Sequence, residues 1–174
     1  MAPTPSPTPT PQHRYAIFLL ETLPKKDPKH MARVSIYLNF ETQTETAFNY
    51  YKSIFGGEFD GGIHRFGDMP AQEGMPALSD ADKQLVMHIE LPLLGGHVLM
   101  GTDAPKSMGF TLVQGNNMHI NLEPETREEA KRLFEGLSKD GKITMPLQDM
   151  FWGAYYGSCT DQFGVQWMVN CRIK

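Results

Sequence analysis

The sequence predicts an α+β fold, with two βαβββ modules forming a curved mixed sheet around a cleft. Three observations predict it. Ser-Ile-Tyr-Leu-Asn-Phe-Glu-Thr (Ser35 to Thr42) is echoed 84 residues on by His-Ile-Asn-Leu-Glu-Pro-Glu-Thr (His119 to Thr126). Each copy has strand-like alternation and runs into a helix-start signal. After each comes an apolar stripe at helical spacing, and then three more strand-like runs. A repeated half-domain places a cleft between two similar modules. It also allows the modules to be compared position by position.

The elements follow in chain order. Val34, Ile36, Leu38 and Phe40 alternate with Ser35, Tyr37 and Asn39, which is strand periodicity. Thr42 and Glu45 have capping-box spacing, in which two side chains satisfy orphan amides at a helix start. Ala47, Tyr50, Tyr51, Ile54 and Phe55 form one helical face, and Gly56-Gly57 ends it. Strands are expected near Phe59–Phe66, Gln84–Leu91 and His97–Gly101, the last after a Gly95-Gly96 turn. The segment Gly67–Lys83, rich in Gly, Pro, Met and Asp, reads as a loop able to cover a pocket mouth.

The second module repeats this order. His119–Glu123 is a strand, and Thr126 with Glu129 gives a second capping box. Ala130, Leu133, Phe134 and Leu137 make the stripe, and Gly141 follows it. This stripe is 83 residues from the first, so the copies differ by one residue near the helix start. Strands near Ile143–Leu147, Ala154–Thr160 and Val165–Cys171 complete the module. Residues 31–174 are thus one domain, with modules at about 31–103 and 118–174.

Composition bounds the function. The chain has 174 residues, 40% hydrophobic and 21% charged, with a formal net charge of −4. That is ordinary for a globular domain and argues against nucleic-acid or anionic-membrane partners. Residues 1–30 read as a disordered, proline-rich extension, with proline at 3, 5, 7, 9 and 11. Its apolar run Tyr15–Leu20 is too short to span a bilayer, which takes about 20 residues. If Asp161–Gly164 turns a hairpin, Cys159 opposes Gln166 and Cys171 opposes Ala154. The thiols then do not meet, which fits a reducing cytoplasm.

Several motifs carry a family resemblance. They are Tyr-Leu-Asn-Phe (37–40), Tyr-Tyr-Lys-Ser-Ile-Phe-Gly-Gly (50–57), Leu-Met-Gly-Thr-Asp (99–103), Met-Pro-Leu-Gln-Asp-Met-Phe-Trp-Gly (145–153) and Asp-Gln-Phe-Gly-Val-Gln-Trp-Met-Val (161–169). On these, residues 31–174 resemble the vicinal oxygen chelate superfamily (glyoxalase I, bleomycin- and fosfomycin-resistance proteins, extradiol dioxygenases), and within it the PhnB-like proteins. The resemblance implies the glyoxalase/bleomycin-resistance-like fold and a homodimer. It also implies four metal ligands, typically two His or Gln and two Glu, on the first and fourth strands of each module. In this chain those positions hold Ser35, Met100, His119 and Met168. One imidazole, one hydroxyl and two thioethers make a poor set for zinc, nickel or manganese. No metal or other cofactor is therefore expected, although a divalent metal is kept as a possibility through His119. The two methionines read instead as a soft, adaptable pocket wall.

A second group of residues is independent of that site. His88 and Glu90 alternate on one strand and share a face, with His64 and His97 on flanking strands. Such a group suits metal binding or acid–base work, or else forms a sheet face turned to water. No P-loop, no nucleophile elbow and no glycine-rich nucleotide turn after a strand is present.

The function expected is binding of a small apolar or aromatic molecule in the inter-module cleft. Tyr37, Asn121, Trp152, Gln166 and Trp167 are expected to line it, with His119 as polar anchor or catalytic base. For both tryptophans, plain core packing competes with pocket lining. The alternative function is a metal-dependent lyase, isomerase or dioxygenase using His119.

Overall fold

Strand β1 (Ile36–Phe40) sorts its side chains as the alternation requires. Ile36, Leu38 and Phe40 pack on the core, while Tyr37 and Asn39 are exposed on the opposite face. The computed structural model describes residues 34–70 and 78–172, so the extension expected over 1–30 lies outside them. Helix α1 (Thr44–Phe55) buries Ala47, Phe48, Tyr51 and Ile54. Strand β2 (Ile63–Arg65), the short helix α2 (Asp80–Gln84), β3 (Val86–Pro92) and β4 (Val98–Asp103) complete the first module. The second holds β5 (Ile120–Leu122), α3 (Arg127–Ser138), β6 (Lys142–Met150), β7 (Ala154–Thr160) and β8 (Gln166–Arg172).

The modules have the same topology. The sheet orders are β1-β4-β3-β2 and β5-β8-β7-β6. In each, the first strand runs parallel to the fourth and the other pairs are antiparallel. The mixed-sheet modules expected from the sequence are there, hydrogen-bonded as two four-stranded sheets in which β1 and β5 each form one edge.

The one-residue difference between the copies has a structural consequence. The helices begin at Thr44 and Arg127, following the offset of the apolar stripes and not that of the strand repeat. Thr126 therefore caps α3, its side chain accepting from the Glu129 amide at 3.2 Å. Thr42 falls one position too early, and the expected box at Thr42 and Glu45 does not form; Gln43 takes the cap position without a side-chain bond. Asp103 supplies the missing acceptor from the end of β4. Its buried carboxylate accepts from the Thr44 amide at 2.9 Å and the Val86 amide at 2.8 Å. That single residue joins α1, β3 and β4.

Two glycines let the helices approach their sheets. A Cβ on Gly101 would lie 2.4 Å from the Phe48 ring, and one on Gly157 would lie 2.8 Å from the Phe134 ring. Both positions exclude any larger residue unless the helix moves.

One hydrophobic core runs through both modules, with Phe48, Tyr51, Ile54, Leu133, Phe134, Leu137 and Trp167 among its members. Tyr50 donates from its hydroxyl to the Gly136 carbonyl, and Arg132 donates to the Ile54 carbonyl. The strongest junction is Asp161, which is 4% exposed. One of its oxygens accepts from the Tyr51 hydroxyl and the Trp167 indole, each at 2.8 Å. The other accepts from the Phe163 and Val165 amides, each at 2.9 Å. The β7–β8 turn is thereby tied to α1 of the other module.

This turn also corrects the expected hairpin register. It spans Asp161 to Val165, so Cys159 pairs with Trp167 and Cys171 with Tyr155, one residue from expectation. Asp161 closes a longer loop by accepting two of its amides, which moves the hairpin centre to Phe163. Both thiols are free, as anticipated, and both are buried. Among the described residues no helix is long and apolar enough to cross a membrane.

Candidate ligand-binding groove

The edge strands β1 and β5 face each other across a groove of about 910 Å³. Neither strand is paired along this edge, and residues of Val34–Phe40 and Met118–Glu123 line the groove. The turn between β3 and β4 contributes Leu93, Leu94, Gly95 and His97, and the inter-module loop contributes Gln114 and Gly115. Hydrogen bonds hold that loop in place. Gln114 donates to the Phe163 carbonyl and Gln166 donates to the Gly115 carbonyl, both at 3.2 Å.

Of the residues expected to line or anchor the cleft, Tyr37, His119, Asn121 and Gln166 line this groove. Asn121 is steadied by donating to Glu123 at 3.2 Å. The two tryptophans do not line it. Trp167 is fully buried on the helix side of β8, with its ring 5.5 Å from Tyr51 and 5.8 Å from Phe55. Its alternation with Gln166 and Met168 dictates this, since neighbours on a strand point to opposite faces. Trp152 is half exposed on the β6–β7 turn, where it packs on Phe151 and Tyr156. Sequence reading missed the groove residues of the β3–β4 turn and the inter-module loop, because no periodicity marks them.

The family's metal positions are only partly assembled here. Ser35 and His119 line the groove, whereas Met100 and Met168 do not. The donor set of one imidazole, one hydroxyl and two thioethers does not fit a hard or borderline divalent ion. Among the described residues, no group of three or more His, Cys, Asp or Glu side chains could hold a metal.

The second group anticipated in the sequence does come together, on the face of the first sheet turned away from the helices. His88 and Glu90 bond at 3.0 Å through the histidine Nε2. His64 pairs with His88 across β2 and β3, and their rings stack at 6.5 Å. Tyr37 joins them from β1, a contact that no local spacing signals. Its hydroxyl lies 3.2 Å from His88 Nδ1, and the rings stack at 5.8 Å. Partial burial raises the Tyr37 hydroxyl above the ordinary tyrosine pKa, with the Glu90 charge adding to this and Thr102 opposing it. The other flanking histidine, His97, lines the groove instead.

Known proteins share this architecture. The family model of the Glyoxalase/Bleomycin resistance protein/Dioxygenase superfamily matches residues 33–169. The protein YjdN of Escherichia coli (strain K12) is 33% identical over 146 residues, which cover 79% of this chain and 93% of that protein. The crystal structure of protein PA1353 from Pseudomonas aeruginosa superposes with a TM-score of 0.70 at 33% identity, covering 83% of this chain and all of that one. A PhnB protein from Bacillus cereus, described as a putative 3-demethylubiquinone-9 3-methyltransferase, gives 0.61 at 28% identity, covering 80% of this chain and 99% of that one. The repeated modules, their strand order and these likenesses lead to one conclusion: the chain belongs to the Glyoxalase/Bleomycin resistance protein/Dioxygenase superfamily, with PhnB-like proteins among its relatives.

Proposed function

We propose that this protein binds a small apolar or aromatic molecule in the groove between β1 and β5, without the four-ligand metal site of its superfamily. The observation that carries this reading is the groove's construction. It is large enough for a drug-sized ligand, and aliphatic residues such as Leu38, Leu93, Leu94 and Ile120 stand beside a few polar groups, His119, Asn121 and Gln166. The apolar walls supply affinity, and the polar groups fix orientation.

Intrinsic tryptophan fluorescence is a poor test, because neither tryptophan lies in the groove. Amide NMR during titration with a naphthalene probe reads the site directly. Ile36, Leu38, Ile120 and Asn121 are expected to shift together. Shifts confined to Phe151 and Trp152 would place binding on the exposed β6–β7 turn and overturn the proposal.

A second reading, a metal-dependent lyase, isomerase or dioxygenase, is favoured by the position of His119 in the same groove. Metal analysis of protein purified without chelator separates the two. The metal-free reading expects substoichiometric zinc, nickel, manganese and iron in wild type and His119→Ala alike. One equivalent in wild type, lost in the variant, would replace the first reading with the second.

A further inference from the structure

We propose that the Ser35 hydroxyl anchors the ligand of the groove by a direct hydrogen bond, so that the groove selects apolar molecules carrying an uncharged hydroxyl or carbonyl over bare hydrocarbons and over carboxylates. This rests on the groove being the binding site and names the chemistry of its ligand.

The observation that carries it is an orphaned polar atom. Ser35 lines the groove just before β1. Its Oγ is buried, and among the described residues it has no hydrogen-bond partner. Buried polar groups are nearly always bonded, and one left without a partner is destabilising. Thr44 Oγ1 shares this condition, but it belongs to the first residue of α1 and does not line the groove. A serine hydroxyl turns about one side-chain bond between staggered positions. Ser35 breaks no hydrogen bond by turning toward a ligand, and it gains one.

The other polar groups of the groove differ in this respect. Asn121, Gln114 and Gln166 already donate within the protein, to Glu123, the Phe163 carbonyl and the Gly115 carbonyl. The Tyr37 hydroxyl is bonded to His88 across β4. His119, the counterpart of Ser35 just before β5, is exposed, as are Asn39 and His97. Exposed groups exchange water for a ligand at little net gain. A hydroxyl already out of water makes no such exchange, so its bond to a ligand discriminates more strongly.

Charge decides the class of the bonding group. Among the described residues neither lysine nor arginine lines the groove, and its one carboxylate is that of Glu123. A ligand carboxylate would lose its water and meet no fixed cation. An uncharged hydroxyl or carbonyl avoids that cost, and serine can donate to either. The hydroxyl that fits a metal poorly fits such a group well.

The test is amide NMR titration of the full chain at neutral pH with naphthalene, each naphthol isomer and naphthoate. In wild type the better-placed naphthol is expected to bind about tenfold more tightly than naphthalene, as one added hydrogen bond implies. Naphthoate is expected to bind no more tightly than naphthalene. Ser35→Ala should bring naphthol down to the affinity of naphthalene and leave naphthalene unchanged. Equal binding of naphthol and naphthalene by wild type, a preference that survives in Ser35→Ala, or naphthoate as the tightest probe would overturn this inference and leave the groove reading standing. If no probe shifts the groove amides, both are overturned. Independently of any ligand, Ser35→Ala should hold its urea midpoint at or above that of wild type, because it removes a buried group that has no partner. A lower midpoint would mean that the hydroxyl already has a partner in solution, and would overturn the proposal.

Discussion

Replacing Asp161 by alanine is expected to lower folding stability by about 3–5 kcal/mol. The carboxylate accepts four hydrogen bonds in the core, and two of the donors, the Tyr51 hydroxyl and the Trp167 indole, belong to fully buried residues. Alanine leaves those two without an acceptor, at about 1–3 kcal/mol each, and loosens the turn amides of Phe163 and Val165. Against a typical stability of about 5–15 kcal/mol this is a large fraction. The damage also crosses the modules, because Tyr51 comes from α1 and Trp167 from β8. Asp161→Asn retains one oxygen for the turn amides and presents an NH₂ to two donors. It is expected to lose about half as much. Urea unfolding followed by tryptophan fluorescence measures both, and an alanine variant within about 1 kcal/mol of wild type would remove Asp161 from its central place.

The same residue illustrates how far the sequence could be read. The Asp-x-Phe-Gly-x-x-Trp motif is visible as a turn followed by buried aromatics, and this is what it forms. Its connection to Tyr51, 110 positions away, has no local signal. The module order was legible because the strand and helix periodicities are local, and because the copies at 35 and 119 confirm each other. Even a small discrepancy carried information. The 83-residue offset of the stripes marks the true helix starts, and the 84-residue offset misplaced the cap at Thr42. Asp103, which serves in its place, sits at the far end of the module and could not be foreseen from spacing.

The candidate site was less legible than the fold for a related reason. Tyr37, His119 and Asn121 lie on or beside the edge strands β1 and β5, and Gln166 lies on the adjacent β8, so strand reading alone is enough to bring them to one groove. The tryptophans were assigned by size and character, and only alternation decides which face each one takes. Trp167 shares its face with Val169 and Cys171, and all three are buried. The tie between Tyr37 and His88 spans 51 residues and runs from β1 over β4 to β3. Long-range side-chain pairings of this kind depend on register, which composition does not encode.

Alkaline pH is expected to unfold the protein through two buried groups beside Asp161. Burial, with the Asp161 charge adding to it, pushes the Cys159 thiol up to about 12 from an ordinary 9.0. The same causes raise the Tyr51 hydroxyl well above its ordinary 10.0. Both groups are neutral when protonated, and the folded state holds their protons more tightly than the unfolded chain does. Their contribution is therefore complete below the unfolded pKa values and is lost as pH rises. For Cys159 the loss runs from about pH 9 to about pH 12, at about 1.4 kcal/mol per pH unit. Tyr51 joins above about pH 10, which doubles the slope to about 2.7 kcal/mol per unit. Urea midpoints measured between about pH 8 and pH 11 should be flat at first and then fall in these two stages. Cys159→Ala should remove the first stage and Tyr51→Phe should weaken the second, to which the Tyr37 and Tyr50 hydroxyls, also raised by burial, contribute; each variant reduces the slope by one proton even though each lowers stability at neutral pH. A wild-type midpoint that stays flat to about pH 11 would mean that water reaches both groups, and that the junction around Asp161 is open in solution.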